Sequence, residues 1–279
     1  KMMAVPRALE DAEILEIIDR FATTAALAEQ AGFTGVQVHA AHGYLINQFL
    51  SPLTNKRTDR WGGTPENRAR FLYETVKAVR EQVSPDFCVS VKLNSADFQK
   101  GGFQLEDAKK VTKVLNTLGL DLLELSGGSY ESPAMYGQTD DTSTSRREAF
   151  FVDFAREIAA VAEMPIMVTG GIYRKATAID ALAKDEAGFA VDVLGIAKAL
   201  AHVPDLPNQW RQEQSLDVAL PKVEWKNKTM AGVAISAIAR RHLVRLSNGK
   251  KAGARLSPAL SLAWDRMRAK RLTKRYKAW

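Results

Sequence analysis

Residues 35–44 have the sequence GVQVHAAHGY, in which a short apolar strand pattern runs directly into polar, ionisable side chains. The pattern predicts a β-strand over residues 35–39, with His39 at its carboxyl end and His42 three residues later. In parallel barrels, active sites are built from residues at the carboxyl ends of the strands. Two imidazoles at such a position can direct N–H donors at one carbonyl oxygen, and Tyr44 can deliver a proton beside them.

The same two histidines also allow other interpretations. The sequence holds only four histidines, at positions 39, 42, 202 and 242, so a metal site would need a third ligand from an acidic residue. A His-x-x-His pair taken alone is equally compatible with a structural, hydrogen-bonding role. We therefore expect no metal site in this chain.

Helix-period and strand-period segments alternate along the first 200 residues or so. Helices are predicted over residues 11–31, 64–79, 105–118, 147–162 and 174–184, and strands near residues 36, 90, 123, 167 and 193. This alternation predicts βαβ units and a parallel sheet. Five strands fit either a doubly wound sheet or the later part of an eight-stranded barrel, which typically has about 250 residues.

The charge of the chain is unevenly distributed. Its 279 residues carry 39 basic and 32 acidic side chains, a formal net charge of +7. Residues 222–279 hold 16 of the basic side chains and two acids, a net charge of +14, which leaves −7 for residues 1–221. Two helices are predicted in the basic part, over 228–246 and after Ser257. The sequence therefore predicts an α/β portion, 1–221, and a basic C-terminal helical extension, 222–279.

Composition excludes several classes of protein. With 46% hydrophobic and 25% charged residues, the chain has an ordinary globular composition. It contains no apolar run long enough for a transmembrane helix, and its amino end lacks a signal-peptide pattern. Cys88 is the only cysteine, which rules out a disulfide within the chain and a four-cysteine zinc or iron–sulfur site. We expect a cytoplasmic protein.

A longer set of residues carries a resemblance to a known family. The set comprises residues 39–45, 48–52, 55, 57, 59, 62–63, 66–68, 91–97, 126–128, 169–171, 195–198 and 204–207. Over about residues 6–210, the chain resembles the old yellow enzyme family of NAD(P)H:flavin oxidoreductases. The resemblance implies a (β/α)8 TIM barrel of which this chain carries roughly strands 4–8. We expect the first three strands to lie outside this sequence or to come from a partner.

The resemblance also implies a reaction. Non-covalent FMN would take hydride from NAD(P)H and pass it to the β-carbon of an α,β-unsaturated carbonyl-type substrate. His39 and His42 would hold the electron-withdrawing group of that substrate, and Tyr44 would protonate the α-carbon. Lys92, where the family usually has arginine, would stabilise the reduced flavin. The phosphate of FMN would be held by residues that follow the last two strands, namely Gly170, Gly171, Gly195, Ala197 and Lys198.

The glycines have a physical argument of their own. Gly170 and Gly171 follow the fourth predicted strand and Gly195 ends the fifth, which would be strands 7 and 8 of a barrel. The loops after those two strands commonly bind phosphate, and glycine lets backbone N–H groups approach an anion. The alternative interpretation is that these glycines serve only as tight turns.

A second hypothesis assigns function to the basic extension. On this view the barrel portion is catalytically incomplete, and residues 222–279 bind nucleic acid, an anionic surface or a partner subunit. Apolar residues at helical spacing within the extension favour a hairpin packed on protein, so we do not expect nucleic-acid binding. We expect a homo-oligomer that acts on a small-molecule alkene without membrane association. The lack of a four-cysteine motif argues against the iron–sulfur branch of the superfamily.

Overall fold

The computed structural model describes residues 6–127, 152–212, 218–251 and 255–278. The start of the helix predicted over 147–162 and the glycine at position 128 lie outside these ranges. Every other predicted helix and strand falls on described residues.

The described residues form one five-stranded sheet. Its strands are β1 Gly35–Ala40, β2 Cys88–Asn94, β3 Leu122–Ser126, β4 Ile166–Thr169 and β5 Val193–Gly195. They lie side by side in chain order, and the β1–β2, β2–β3 and β3–β4 pairs are parallel. A doubly wound sheet reverses its strand order at a switch point, whereas a barrel keeps it. The observed order is therefore that of part of a (β/α)8 barrel.

Helices connect and follow the strands. They are α1 Asp11–Gln30, α2 Leu45–Leu50, α3 Pro65–Gln82, α4 Leu105–Leu115, α5 at residues 152–159, α6 Lys175–Leu182, α7 Lys198–His202, α8 Leu206–Arg211, α9 Lys228–Ser247 and α10 Pro258–Lys277. Helices α2, α7 and α8 were not predicted from the sequence. They have five or six residues each, which is too short for a 3.6-residue period to become visible.

Local sequence explains where the longer helices begin. The Thr64 side chain accepts a hydrogen bond from the backbone N–H of Asn67, and Pro65 occupies the first helical position of α3. The side chains of Asn227 and Ser257 cap α9 and α10 in the same way. None of the helices in the described part of the chain combines the length and the apolarity that a membrane span requires.

Backbone contacts divide the chain into two compact units. Of the described residues, the first comprises 6–127, 152–168 and 184–193, and the second comprises 169–183, 194–212, 218–251 and 255–278. The core of the first unit consists of fully buried side chains from its helices and strands, including Ile14, Phe71, Leu72, Val89, Leu93 and Leu123. The boundary predicted at residue 221 stays a prediction.

The basic extension belongs to the second unit and contains both predicted helices. Arg240 of α9 donates to the carboxylate of Asp265 of α10 over 2.8 and 2.7 Å. The other side of α9 buries small and apolar residues, among them Ala231, Ala234 and Ile238, with Val223 and Trp225 packed against them. Helix α9 also contacts α7, so within its unit the extension packs against the helix that follows β5.

Candidate active site

A row of polar side chains crosses the carboxyl ends of β1, β2 and β3. His39 is level with Lys92 on the next strand, and Lys92 is level with Glu124 on the one after. Two residues further along, Asn94 is level with Ser126. Partners at one level of a parallel sheet point to the same face, and alternate residues point to the opposite one. The intervening apolar residues are all buried, namely Val38, Ala40, Val91, Leu93, Leu123 and Leu125.

The turn after β1 carries the second histidine. His42 and Gly43 both have positive φ angles, 62° and 77°, a conformation that is uncommon for a residue with a Cβ. Two asparagines hold this turn: the His42 N–H donates to Asn94 Oδ1 over 3.2 Å, and the Gly43 N–H donates to Asn47 Oδ1 over 2.7 Å. These bonds offset the conformational cost, so the turn has one defined shape.

A buried carboxylate organises the two asparagines. Asp97 is 3% exposed. Its oxygens accept from Asn47 Nδ2 at 3.4 Å, from Asn94 Nδ2 at 3.1 Å and from the Phe103 N–H at 3.0 Å. Asp97 thereby holds the side chains of Asn47 and Asn94, and these two side chains hold the turn at His42. The sequence analysis included residues 94–97 in the family resemblance but assigned them no role.

The structure brings the three predicted catalytic residues together. The ring of His39 lies 5.4 Å from that of His42 and 4.7 Å from that of Tyr44, both measured between centroids. His42 Nε2 lies 2.7 Å from the hydroxyl oxygen of Ser126, which fixes the orientation of that ring. Tyr44 is 46% exposed at the start of α2, so its side chain is accessible from solvent.

Lys92 forms an ion pair that the sequence analysis missed. Its Nζ lies 2.5 Å from Glu124 Oε1, and the two side chains are 17% and 6% exposed. The only signal in the sequence is an acid inside the otherwise apolar strand segment LLELS of β3. The cation that pairs with Glu124 is set by the register between β2 and β3, and the sequence does not show that register.

Burial keeps both site histidines neutral. Desolvation, followed by the charges of Lys92 and His39, lowers the pKa of His42 to about 4. Desolvation and Lys92 likewise lower the pKa of His39, while Glu124 opposes the shift at both rings. At neutral pH each imidazole therefore has one N–H donor and one acceptor nitrogen.

These pKa shifts predict a loss of stability in acid. Burial also lowers the pKa of His202 and of His242, so all four histidines bind protons more readily in the unfolded chain. Stability is then fully present above the unfolded pKa of about 6.5 and falls as the pH approaches the lower folded values. His42 should account for about 1 kcal/mol between pH 7 and pH 5, after allowance for its partial exposure.

Urea unfolding of the wild type and of the His42→Gln variant at both pH values measures this contribution. The variant should lose less stability on acidification than the wild type. Equal losses would show that His42 is not held neutral by the fold.

The structure also describes the residues that bear on a metal site and on the predicted phosphate site. Among the residues that it describes, no three His, Cys, Asp or Glu side chains are grouped as metal ligands. In the second unit, Gly170 and Gly171 follow β4 with φ angles of 136° and 73°, a backbone that favours glycine. Gly195 ends β5, Ala197 precedes α7 and Lys198 is its first residue.

The two glycine loops share one apolar cluster. Tyr173, from the loop after β4, and Ile196, from the loop after β5, both pack against Ala199, Leu206 and Val218. The Val218 N–H also donates to the Tyr173 carbonyl over 3.1 Å. The loops therefore lie near each other, as a shared phosphate site requires. Burial lowers the pKa of Lys198.

Sequence comparisons with known proteins agree on one family. Residues 1–217 match the sequence profile of the NADH:flavin oxidoreductase / NADH oxidase family. The NADH-dependent flavin oxidoreductase iliE of Hypocrea jecorina is 37% identical over 243 residues, which is 83% of this chain and 59% of that protein. The NADH oxidase of Thermoanaerobacter brockii is 34% identical over 215 residues, 76% of this chain and 32% of that protein. The chain thus spans less than two thirds of the length of each of these relatives.

Solved structures show the same relationship. Morphinone reductase in complex with tetrahydroNAD superposes with a TM-score of 0.55 at 29% identity, covering 77% of this chain and 53% of that one. The old yellow enzyme homologue from Zymomonas mobilis gives 0.61 at 28% identity, covering 78% and 57%. Both likenesses cover more than three quarters of this chain.

Proposed function

The chain belongs to the NADH:flavin oxidoreductase / NADH oxidase family, and we propose that it acts as an FMN-dependent oxidoreductase that reduces the activated C=C bond of α,β-unsaturated carbonyl compounds with NADH or NADPH. The observation that carries this proposal is the grouping of His39, His42 and Tyr44 beside Lys92 at the carboxyl end of the strands. These side chains supply hydrogen-bond donors, a proton donor and a cation at the carboxyl end of the strands.

The two imidazoles suit a carbonyl oxygen. Because both are neutral at pH 7, each has one N–H that can donate without adding a positive charge to the site. As hydride reaches the β-carbon, negative charge develops on the carbonyl oxygen of the substrate. Donors fixed in advance stabilise that charge, and the bonds of His42 to Asn94 and Ser126 provide the fixing.

Tyr44 completes the addition across the double bond. Its ring packs at the edge of His39, and its side chain remains accessible. A phenol beside the carbonyl-binding histidines can donate its proton to the α-carbon once the enolate has formed.

The residues present fit FMN. The Lys92 ammonium lies on the polar face with His39, where it can stabilise the electron-rich ring of a reduced flavin. In the second unit, Gly170 and Gly171 have the positive φ angles with which backbone N–H groups can approach an anion closely, and Lys198 adds a cation for a phosphate. Bound FMN supplies the hydride transfer, and the chain supplies binding, orientation and the proton.

Steady-state assays of the FMN-loaded chain test the proposal. NADH oxidation under anaerobic conditions should accelerate when 2-cyclohexenone is added, with one NADH consumed per alkene reduced. Free FMN at the same concentration is the control. A chain that holds FMN and oxidises NADH at the same rate with and without the enone would contradict the proposed substrate class.

A further inference from the structure

Glu124 is an unusual residue for its position. It lies in β3 between Leu123 and Leu125, both of which are essentially fully buried, and it is itself only 4% exposed. Burying a carboxylate costs several kcal/mol unless it is paired and hydrogen-bonded. Its partner is Lys92, one strand away at the same level of the sheet. The pair therefore belongs to the polar row that contains His39.

Lysine and arginine differ in how much support they need at such a place. Arginine presents a planar, preorganised fork of donors and loses less rotamer entropy per hydrogen bond, whereas lysine is a compact charge on a flexible stem. Lys92 can adopt many rotamers, and an anchor is required to hold its ammonium at one point. The Glu124 carboxylate, 2.5 Å away, is that anchor.

We propose that Glu124 is a positioning residue of the active site, which fixes the Lys92 ammonium at the end of β2 and offsets its charge. Lys92 then meets the flavin chiefly as a hydrogen-bond donor and only weakly as a net cation. The part of this inference that concerns flavin rests on the proposed function. The part that concerns the charge of the row can be tested in the chain without flavin.

The pKa values of the two site histidines respond to the charges of Lys92 and Glu124. Lys92 lowers and Glu124 raises the pKa of both His39 and His42, so the two partners act on the rings in opposite directions. Among the described residues, the charged or titratable groups that face His39 from the neighbouring elements are Lys92, Glu124, His42 and Tyr44. These opposed effects follow from the positions of the two charges in the sheet, so removing either partner should move the His39 pKa in a defined direction.

NMR titration of the histidines in the flavin-free chain is the first test. Glu124→Gln should lower the pKa of His39, Lys92→Met should raise it, and the double variant should return it towards the wild-type value. Arginine is always charged, so Glu124→Gln combined with Lys92→Arg should lower the pKa of His39 relative to Lys92→Arg alone. An unchanged His39 pKa in that combination would overturn the inference.

Sulfite binding to the FMN-loaded chain is the second test. The sulfur of sulfite bonds to flavin N5 and the displaced electron pair moves into the ring, which becomes anionic, so affinity rises with positive charge near the ring. Glu124→Gln with Lys92→Arg should bind sulfite about tenfold more tightly than Lys92→Arg alone. Glu124→Asp, which keeps a carboxylate, should resemble the wild type.

The histidine titration and the sulfite assay together distinguish a failure of the proposed function from a failure of this inference. A wild-type chain that binds no FMN overturns the proposed function, while the histidine titration still decides whether Glu124 sets the charge of the row. A chain that binds FMN and shows equal sulfite affinity with and without the carboxylate overturns the inference and leaves the proposed function intact.

Discussion

Replacing Tyr44 with phenylalanine should slow the reduction of 2-cyclohexenone by about 10²–10⁴-fold, the usual contribution of a general acid. The variant removes one hydroxyl and keeps the ring that packs 4.7 Å from His39. Reduction of the flavin by NADH needs no proton from this hydroxyl, so that half-reaction should keep its rate.

Stopped-flow measurement of the two half-reactions separates these effects. Tyr73→Phe is the matched control, because it removes a phenol from α3 and leaves the histidine site untouched. Alkene reduction that proceeds at the wild-type rate in Tyr44→Phe would show that the proton comes from another group.

Replacing Asp97 with alanine should destabilise the chain by about 3–5 kcal/mol, as expected when one partner of a buried, charged network is removed. The substitution leaves the amide groups of Asn47 and Asn94 and the Phe103 N–H without their acceptor in a buried place. Each stranded donor costs about 1–3 kcal/mol. Removal of the Asp97 carboxylate should also make the turn at His42 more mobile. Phenol binding to the FMN-loaded chain should therefore weaken.

Equilibrium unfolding in urea measures the stability of this variant against the wild type. Asp86→Ala, which removes an exposed carboxylate from the same unit, is the control and should change stability by less than about 0.5 kcal/mol. A loss below about 1 kcal/mol for Asp97→Ala would mean that water or a neighbouring group replaces its contacts.

Local patterns were sufficient for the sheet and for most helices. The five strands are short apolar runs, and their predicted centres agree with the structure. Cap residues such as Thr64 and Pro65 identified the start of α3 because capping depends on positions within one turn. Helices α2, α7 and α8 were missed because five or six residues form no clear period.

Only some of the site residues could be predicted from the sequence. His39, His42, Tyr44 and Lys92 could be named because they stand in or beside strand ends and match a family pattern. Glu124 and Asp97 could not, because their roles depend on contacts that cross the sheet or close a loop. The partner of Lys92 lies 32 residues away in β3, and only the register of two parallel strands selects it.

The most direct test of the account is a single anaerobic turnover followed by the absorption band of oxidised flavin. The 279-residue chain is loaded with FMN, freed of excess, reduced with one equivalent of NADH and then mixed with 2-cyclohexenone. We predict that NADH bleaches the band and that the enone restores it with formation of cyclohexanone. A chain that retains no FMN, or one whose bleached flavin is not reoxidised by the enone, would contradict the account.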